Sequence, residues 1–185
     1  MKKGFGIKEV VAMGIGTALF VVLTNVQIPL VFVPNTALQP RMAILAFFSA
    51  VFGPIVGAVI GFLGHALGDA IFYGSVWWSW VIPELVIGLA IGFFAPKFAV
   101  KEGGFISTKP IVLFNIVQVV ANAVAWILVA PVFDIIIYSE PANKVFVQGA
   151  FAFLGNIIII GILGTILLTA YSRISGKSSN LKAED

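Results

Sequence analysis

Apolar runs of close to twenty residues follow one another along most of this chain, and they restrict its fold more than any other feature. Hydrophobic residues make up 60% of the 185 positions and charged residues only 10%, with a mean hydropathy of +1.09. Soluble domains are close to half apolar and about a quarter charged, so a soluble core cannot absorb this much apolar surface. The sequence therefore predicts an all-α integral membrane protein, with residues 1–185 forming a single domain.

The apolar runs divide into six segments. A membrane span needs about 20 residues, and prolines punctuate the runs at the places where spans are expected to end. The predicted segments run from Lys8 to about Leu23, Arg41 to Phe52, Pro54 to about Phe72, Trp78 to Phe94, Pro110 to about Val132, and Lys144 to Tyr171. The second is short for a full crossing, so we expect it to be tilted or partly covered by the loop before it.

Positive charge is distributed unevenly between the two sides of these six segments. The side that holds both termini carries Lys2, Lys3, Lys8, Lys97, Lys101, Lys109, Arg173, Lys177 and Lys182. Only Arg41 and Lys144 fall on the opposite side. Because cytoplasmic loops are enriched in lysine and arginine, the sequence predicts six spans with both termini in the cytoplasm.

Several polar side chains lie inside the predicted spans, where a charge at mid-helix costs about 2.5–3.5 kcal/mol. The candidate binding residues among them are His65, Asp69, Glu84, Gln118, Asn122 and Gln148. A spacing of four residues places His65 with Asp69, and Gln118 with Asn122, on common helical stripes. Most of the set falls in the outer half of the predicted bundle, which indicates a polar cup open to the outside rather than a pore.

Other interpretations of these polar groups remain open at this stage. Asparagine and glutamine side chains often tie membrane helices together by hydrogen bonds. His65 and Asp69 form a self-stabilising pair within one helix as readily as they contact a ligand. Glu84 is expected to contact a ligand or partner, or else to bond across helices to Arg41 or His65.

Aromatic residues and the first external loop complete the predicted pocket. Trp78 or Trp126 would supply a flat apolar wall, although most tryptophans at this level are expected to belong to the interfacial belt. Gln27, Asn35 and Gln39 lie among the prolines of the loop between segments one and two. Proline stiffens such a loop, so the sequence predicts a lid that folds over the cup.

Small residues in the first segment suggest a partner. Ala12 with Gly16, and Gly14 with Ala18, each follow the small-x-x-x-small spacing that lets a second helix approach closely. We expect them to contact a separate membrane protein. The glycine stripe of the third segment is expected to serve packing within the chain.

Several motifs are missing, and their absence limits the chemistry. The chain has no cysteine, no Gly-x-x-x-x-Gly-Lys-Ser/Thr phosphate loop, no HExxH and no nucleophile arranged beside a base. An enzyme is therefore disfavoured, and no metal or other cofactor is expected. A stand-alone channel or facilitator would need polar residues across the inner half, where they are scarce. The net charge of +3 comes from loop lysines and does not indicate nucleic-acid binding.

Combined motifs along about the whole chain resemble the UPF0397 family. They are Gln27-Ile28-Pro29, Pro34-Asn35-Thr36-x-Leu38-Gln39-Pro40, Val51-Phe52-Gly53-Pro54, Gly64-His65-Ala66-Leu67-x-Asp69, Gly74-Ser75-x-Trp77-Trp78-Ser79-Trp80, Asn122-Ala123-x-Ala125-Trp126 and Tyr138-x-Glu140-Pro141-Ala142-Asn143-Lys144. That family comprises S components, the substrate-binding subunits of bacterial energy-coupling factor (ECF) vitamin transporters.

The resemblance carries its own expectations about function. It implies a six-helix S-component-like bundle in the bacterial cell membrane that captures a micronutrient from outside. It also implies a complex with an ECF transmembrane coupling protein and two ATPase subunits, which would use the ATP. Members similar to this chain are associated with hydroxymethylpyrimidine, a thiamine precursor, and another heterocyclic micronutrient is the alternative.

Overall fold

Helices account for most of the chain in the computed structural model, which describes residues 6–33 and 35–181, with side chains described as far as residue 176. The helices are α1 (Ile7–Thr24), α2 (Arg41–Phe52), α3 (Pro54–Phe72), α4 (Trp78–Phe93), α5 (Ala95–Phe98), α6 (Thr108–Ala123), α7 (Ala130–Tyr138), α8 (Ala142–Ile159) and α9 (Thr165–Leu181). Two π-helical segments, π1 (Val124–Val129) and π2 (Ile160–Gly164), join α6 to α7 and α8 to α9. Pro34 and the orientation lysines Lys2, Lys3 and Lys182 lie outside the described residues.

The predicted second and third segments coincide with α2 and α3, which confirms those helix boundaries. The fifth prediction ended too early, because the helix continues without interruption from Thr108 to Tyr138. Pro131 lies in its path and lacks an amide hydrogen. The π-helical turn just before it shifts the hydrogen-bonding pattern, which is how long membrane helices accommodate proline. The predicted loop over residues 133–143 is therefore reduced to a short turn.

Four helices in the described part of the chain are long and apolar enough to cross a membrane. They are Ile7–Thr24, Pro54–Phe72, Thr108–Tyr138 and Ala142–Gly176. Two shorter apolar helices, Arg41–Phe52 and Trp78–Phe93, complete the bundle. These helices support a membrane location, while the six-span topology stays a prediction.

Glycines set the closest helix contacts. A Cβ atom at Gly61 of α3 would lie 2.5 Å from the Glu84 carbonyl oxygen of α4, so the two backbones touch directly. On the α1 side of the same helix, Cβ atoms at Gly64 and Gly68 would meet the side chains of Phe20 and Thr24. The glycine stripe therefore serves packing within the chain, as its spacing predicts.

The loop between α1 and α2 folds into a small antiparallel hairpin. Its strands are β1 (Ile28–Pro29) and β2 (Ala37–Leu38), with Ile28 opposite Leu38. Leu38 packs against α8 at Gly155, and the Phe32 ring meets the Phe151 ring edge-on with centroids 5.4 Å apart. The hairpin thus lies across one end of the bundle, called here the hairpin end.

Candidate functional site

A cavity of about 610 Å³ occupies the hairpin end of the bundle. Its walls are formed by the β1–β2 hairpin, the last turns of α3 and α7, and the first turns of α2, α4 and α8. The volume falls within the usual range of about 300–1,000 Å³ for small-molecule sites. Both polar and apolar side chains line it, so it has the composition of a ligand pocket rather than of a packing defect.

Arg41, the first residue of α2, connects the hairpin to the bundle. It is almost fully buried, and its guanidinium lies over the Phe20 ring, 4.7 Å from the centroid. Its Nε donates to Gln39 Oε1 at 2.7 Å and its Nη1 to Thr24 Oγ1 at 2.9 Å. Gln39 in turn donates to Gln27 Oε1 at 3.1 Å. One arginine therefore ties α1, α2 and both ends of the hairpin together.

A chain of charged groups extends from Arg41 into α3 and α4. Arg41 Nη2 lies 3.4 Å from Glu84 Oε1, and His65 Nδ1 lies 2.9 Å from Glu84 Oε2. His65 Nε2 lies 3.3 Å from Asp69 Oδ1, while Asp69 Oδ2 accepts a hydrogen bond from the Trp77 backbone amide at 3.0 Å. Glu84 is only 1% exposed, so this carboxylate depends on the arginine and the imidazole for its stabilisation.

Asp134 organises the aromatic wall of the cavity. This buried carboxylate in α7 accepts hydrogen bonds from Trp77 Nε1 at 2.7 Å, Ser79 Oγ at 2.5 Å and Trp80 Nε1 at 2.9 Å. The Trp77 ring also stacks on Tyr138, with centroids 4.1 Å apart. The two indoles are thus fixed in orientation by one acid.

The charged side chains that line the cavity are all engaged with groups of this chain. Besides the Arg41 network and Asp134, Lys144 Nζ lies 2.7 Å from Glu140 Oε2 at the start of α8. No described carboxylate in the lining is left without a donor, and each described lining cation has an acceptor. The charged groups of the lining therefore all have partners within the chain, although the partners of Asp134 are neutral donors.

The predicted binding residues divide into two groups. Those that line the cavity are Gln27, Asn35, Gln39, His65, Asp69 and Gln148. Those that do not are Trp78, Glu84, Gln118, Asn122 and Trp126. The hairpin residues, the α3 stripe and Gln148 in the second turn of α8 are thus brought together at one site, and the α6 stripe is not.

Three residues of the second group make contacts away from the cavity. Trp78 is 44% exposed and packs on Phe62, with ring centroids 5.8 Å apart. Gln118 donates to the Ile157 carbonyl of α8 at 3.3 Å, and Asn122 donates to the Gln118 carbonyl at 2.8 Å. These amides tie helices or stay within α6, as membrane asparagines and glutamines commonly do.

The cavity residues that sequence reasoning missed include Arg41, Trp77, Trp80 and Asp134. Arg41 was identified as a cation on the predicted outer side and as a possible partner of Glu84, a contact that the structure shows, but not as a cavity residue. Asp134 was assigned to a loop beyond the end of the fifth segment. The error in the helix end therefore concealed the acid that holds the aromatic wall.

The predicted partner-docking residues also divide. Ala12 and Gly16 are buried, and a Cβ atom at Gly16 would collide with Ile60 and press on Phe48. That face of α1 packs on α2 and α3, so its prediction as a docking surface is corrected. Gly14 and Ala18 are exposed, and a Cβ atom at Gly14 would meet nothing within 4 Å.

Comparisons with known proteins agree on one family. The family model described as "ECF-type riboflavin transporter, S component" matches residues 4–173. A UPF0397 protein of Exiguobacterium sp. (strain ATCC BAA-1283 / AT1b) is 49% identical over 180 residues, covering 97% of this chain and 98% of the relative. UPF0397 proteins of Lactobacillus helveticus and Streptococcus gordonii are each 50% identical, covering 100% and 97% of this chain and 99% and 96% of the relatives. No solved structure matches the chain significantly.

Proposed function

This chain belongs to the ECF-type riboflavin transporter S component family, a family of transporter subunits and not of enzymes, and we propose that it captures a neutral heterocyclic micronutrient. The proposal rests chiefly on the observation that every charged group of the described lining already has an ion-pair or hydrogen-bond partner within the chain. A charged ligand would need a lining group of opposite charge that is free to pair with it, because an unpaired buried charge is costly. A lining whose charged groups are already engaged favours a ligand that offers hydrogen bonds and a flat ring.

Two substrates fit this description. Hydroxymethylpyrimidine, predicted from the UPF0397 resemblance, is a neutral ring whose amino group lies beside a ring acceptor. Riboflavin, which the name of the matching family model mentions, is also neutral and makes fuller use of a cavity with the liquid volume of about 20 water molecules. The hydrogen-bonding groups of Gln39 and Gln148, together with the Trp80 indole, would recognise either ring.

The same proposal includes the assembly and the topology. The chain would sit in the bacterial cell membrane as six spans with both termini in the cytoplasm, so that the hairpin end faces outward. An ECF transmembrane coupling protein and two ATPase subunits would supply the energy, and ATP would bind to those ATPases. Gly14 and Ala18 of α1 remain the proposed contact with the coupling protein.

Isothermal titration of the purified chain in detergent, without ATPases, tests the capture of a neutral ligand. The panel pairs each neutral candidate with a charged analogue: hydroxymethylpyrimidine with thiamine, and riboflavin with its phosphate ester. We expect saturable binding of one neutral compound, with the charged analogue at least about tenfold weaker. Saturable binding of neither neutral compound, or tighter binding of a charged analogue, would contradict the proposal.

Two substitutions relate that binding to this cavity. Gln148→Ala and Gln39→Ala each remove lining hydrogen-bonding groups, and a lost hydrogen bond to ligand costs about 0.5–1.5 kcal/mol, or roughly 2- to 12-fold in affinity. Trp78→Phe is the matched control, because Trp78 lies outside the cavity. Unchanged affinity in both glutamine variants would place the binding site elsewhere.

Uptake into vesicles tests whether this chain only binds the ligand while the other subunits drive its transport. The chain alone should bind the ligand but not accumulate it, whereas addition of the coupling protein, both ATPases and ATP should produce accumulation. Ligand flux through the chain alone would instead support a stand-alone facilitator.

A further inference from the structure

Two buried polar atoms next to the cavity have no protein hydrogen-bond partner among the described residues. They are Oδ1 of Asn122 and Nε1 of Trp126, in side chains that are 0% and 3% exposed. Two other such atoms, His65 Nδ1 and Glu84 Oε2, lie 2.9 Å from each other and so share an ion-pair contact. The Asn122 acceptor and the Trp126 donor have no such counterpart, and burying them unpaired costs free energy.

The Trp126 side chain packs against the aromatic wall of the cavity. The Trp126 ring meets the Trp80 ring edge-on, with centroids 5.3 Å apart, and Trp80 lines the cavity. Asn122 precedes Trp126 by four residues, so both side chains leave the continuous helix on a similar side. The Trp126 ring is therefore in contact with a side chain of the cavity wall, and Asn122 lies close to it along the same helix.

The backbone at this point is unusual. Trp126 lies in π1, and a Cβ atom at Gly149 would collide with its carbonyl oxygen, which shows that α8 packs directly against the π turn. Single π turns in α-helices are often found at functional sites. The close contact fixes the position of the Trp126 backbone.

We propose that Asn122 Oδ1 and Trp126 Nε1 form an inner subsite for the polar edge of the ligand, which the ligand reaches past the edge of the Trp80 ring. The ligand class is a heterocycle with an N–H beside a ring nitrogen or carbonyl, as in an aminopyrimidine or a lactam. Its N–H would donate to Asn122, and its acceptor would receive the Trp126 indole hydrogen. This inference rests on the proposed function, because it assigns specificity-determining residues to the same ligand.

Indole NMR signals provide a direct test. The chain has four tryptophans, so protein labelled with 15N-indole tryptophan gives four side-chain signals, and Trp126→Phe identifies the one from Trp126. Hydroxymethylpyrimidine and riboflavin are the probes. Binding of either probe should move the Trp126 signal downfield in the proton dimension and leave the Trp78 signal in place. A probe that binds while the Trp126 signal stays unmoved would overturn the proposal.

Affinity and melting temperature together separate a ligand subsite from a structural imperfection. Trp126→Phe keeps an aromatic ring and removes the donor, and Asn122→Leu removes the acceptor at similar volume. If the two atoms bind ligand, each variant should weaken binding at least about fivefold, while the melting temperature of Asn122→Leu without ligand stays the same or rises. Trp78→Phe serves again as the control for loss of an indole hydrogen.

The outcomes distinguish this proposal from the proposed function. Affinities within twofold of the unmodified protein in both variants would show that the two atoms do not contact ligand, and the subsite would be rejected while capture stands. If the unmodified protein binds neither probe, the proposed function fails and the subsite fails with it.

Discussion

Replacement of Glu84 by glutamine should destabilise the protein far more than the same replacement at Glu140, although Glu140 makes the shorter ion pair. Glu140 Oε2 lies 2.7 Å from Lys144 Nζ, and Glu84 Oε1 lies 3.4 Å from Arg41 Nη2. The Glu84 and Arg41 side chains are 1% and 3% exposed, whereas those of Glu140 and Lys144 are 20% and 38% exposed. By distance alone the Glu140–Lys144 pair would be the stronger of the two, whereas burial makes the Glu84–Arg41 pair the stronger.

The electrostatic energies of the two ion pairs indicate that the buried pair stabilises the protein more. At 3.4 Å and an effective dielectric constant near 20, the attraction is about 5 kcal/mol; at 2.7 Å in water it is about 1.5 kcal/mol. Solvent screening and side-chain entropy reduce an exposed pair to about 0–1 kcal/mol. Removing one member of a buried pair leaves the other charge uncompensated and typically costs about 3–5 kcal/mol. We expect Glu84→Gln to cost about 3 kcal/mol, because glutamine retains some hydrogen bonding, and Glu140→Gln less than 1 kcal/mol.

Reversible unfolding in mixed micelles with increasing SDS measures both free energies. The double variant Arg41→Met with Glu84→Leu should recover much of the loss, because neither charge is then left alone in the bundle. A Glu84→Gln variant no less stable than Glu140→Gln would refute the reasoning. It would mean that water reaches the Arg41 network and that the pair is effectively exposed.

Three further predictions follow from the same contacts. Gly61→Ala should lower the unfolding free energy by about 1–3 kcal/mol by forcing α3 and α4 apart, while Gly14→Ala should be neutral in the same SDS titration; equal effects would contradict the packing described here. Gly16→Leu should reduce the melting temperature by breaking the contact of α1 with α2 and α3. Gly14→Leu should leave the melting temperature unchanged but abolish co-purification with the coupling protein. Retention of that complex would exclude the Gly14 face of α1 as the docking surface. Asp134→Asn replaces an acceptor of three hydrogen bonds by an amide with one oxygen, so Trp80 should lose its fixed orientation and ligand affinity should fall about tenfold by titration; an unchanged dissociation constant would show that the wall needs no acid.

Much of the helical framework was predictable, because run length and turn chemistry are local properties. The Gly53-Pro54 corner separates α2 from α3 at the predicted residues, since Gly53 has a φ of +97° and Pro54 opens the next helix. The end of the fifth segment was not predictable from Pro131 alone. A proline that breaks a soluble helix can be accommodated by a π turn in a bundle, and nothing in the local sequence distinguishes the two outcomes.

The site was only partly predictable, because the direction in which a side chain leaves a helix changes sharply from one residue to the next. Trp78 and Trp80 are two residues apart, which turns their side chains about 200° from each other around α4. The structure turns Trp80 toward the cavity and Trp78 toward Phe62 and the outside. The position of the hairpin and α3 residues beside the cavity was predictable, since His65 and Asp69 share a stripe that faces the bundle interior wherever the helix begins.

The shortness of α2 explains why there is a cavity at all. Twelve residues make a helix of about 18 Å, which is about 10 Å, or two turns, shorter than the 19-residue α3 beside it. The neighbouring helices α3 and α8 continue past its start, and the hairpin closes the gap from above. The pocket thus occupies the space of the two turns that α2 lacks. Residues that lengthened α2 at its Arg41 end would make the pocket shallower.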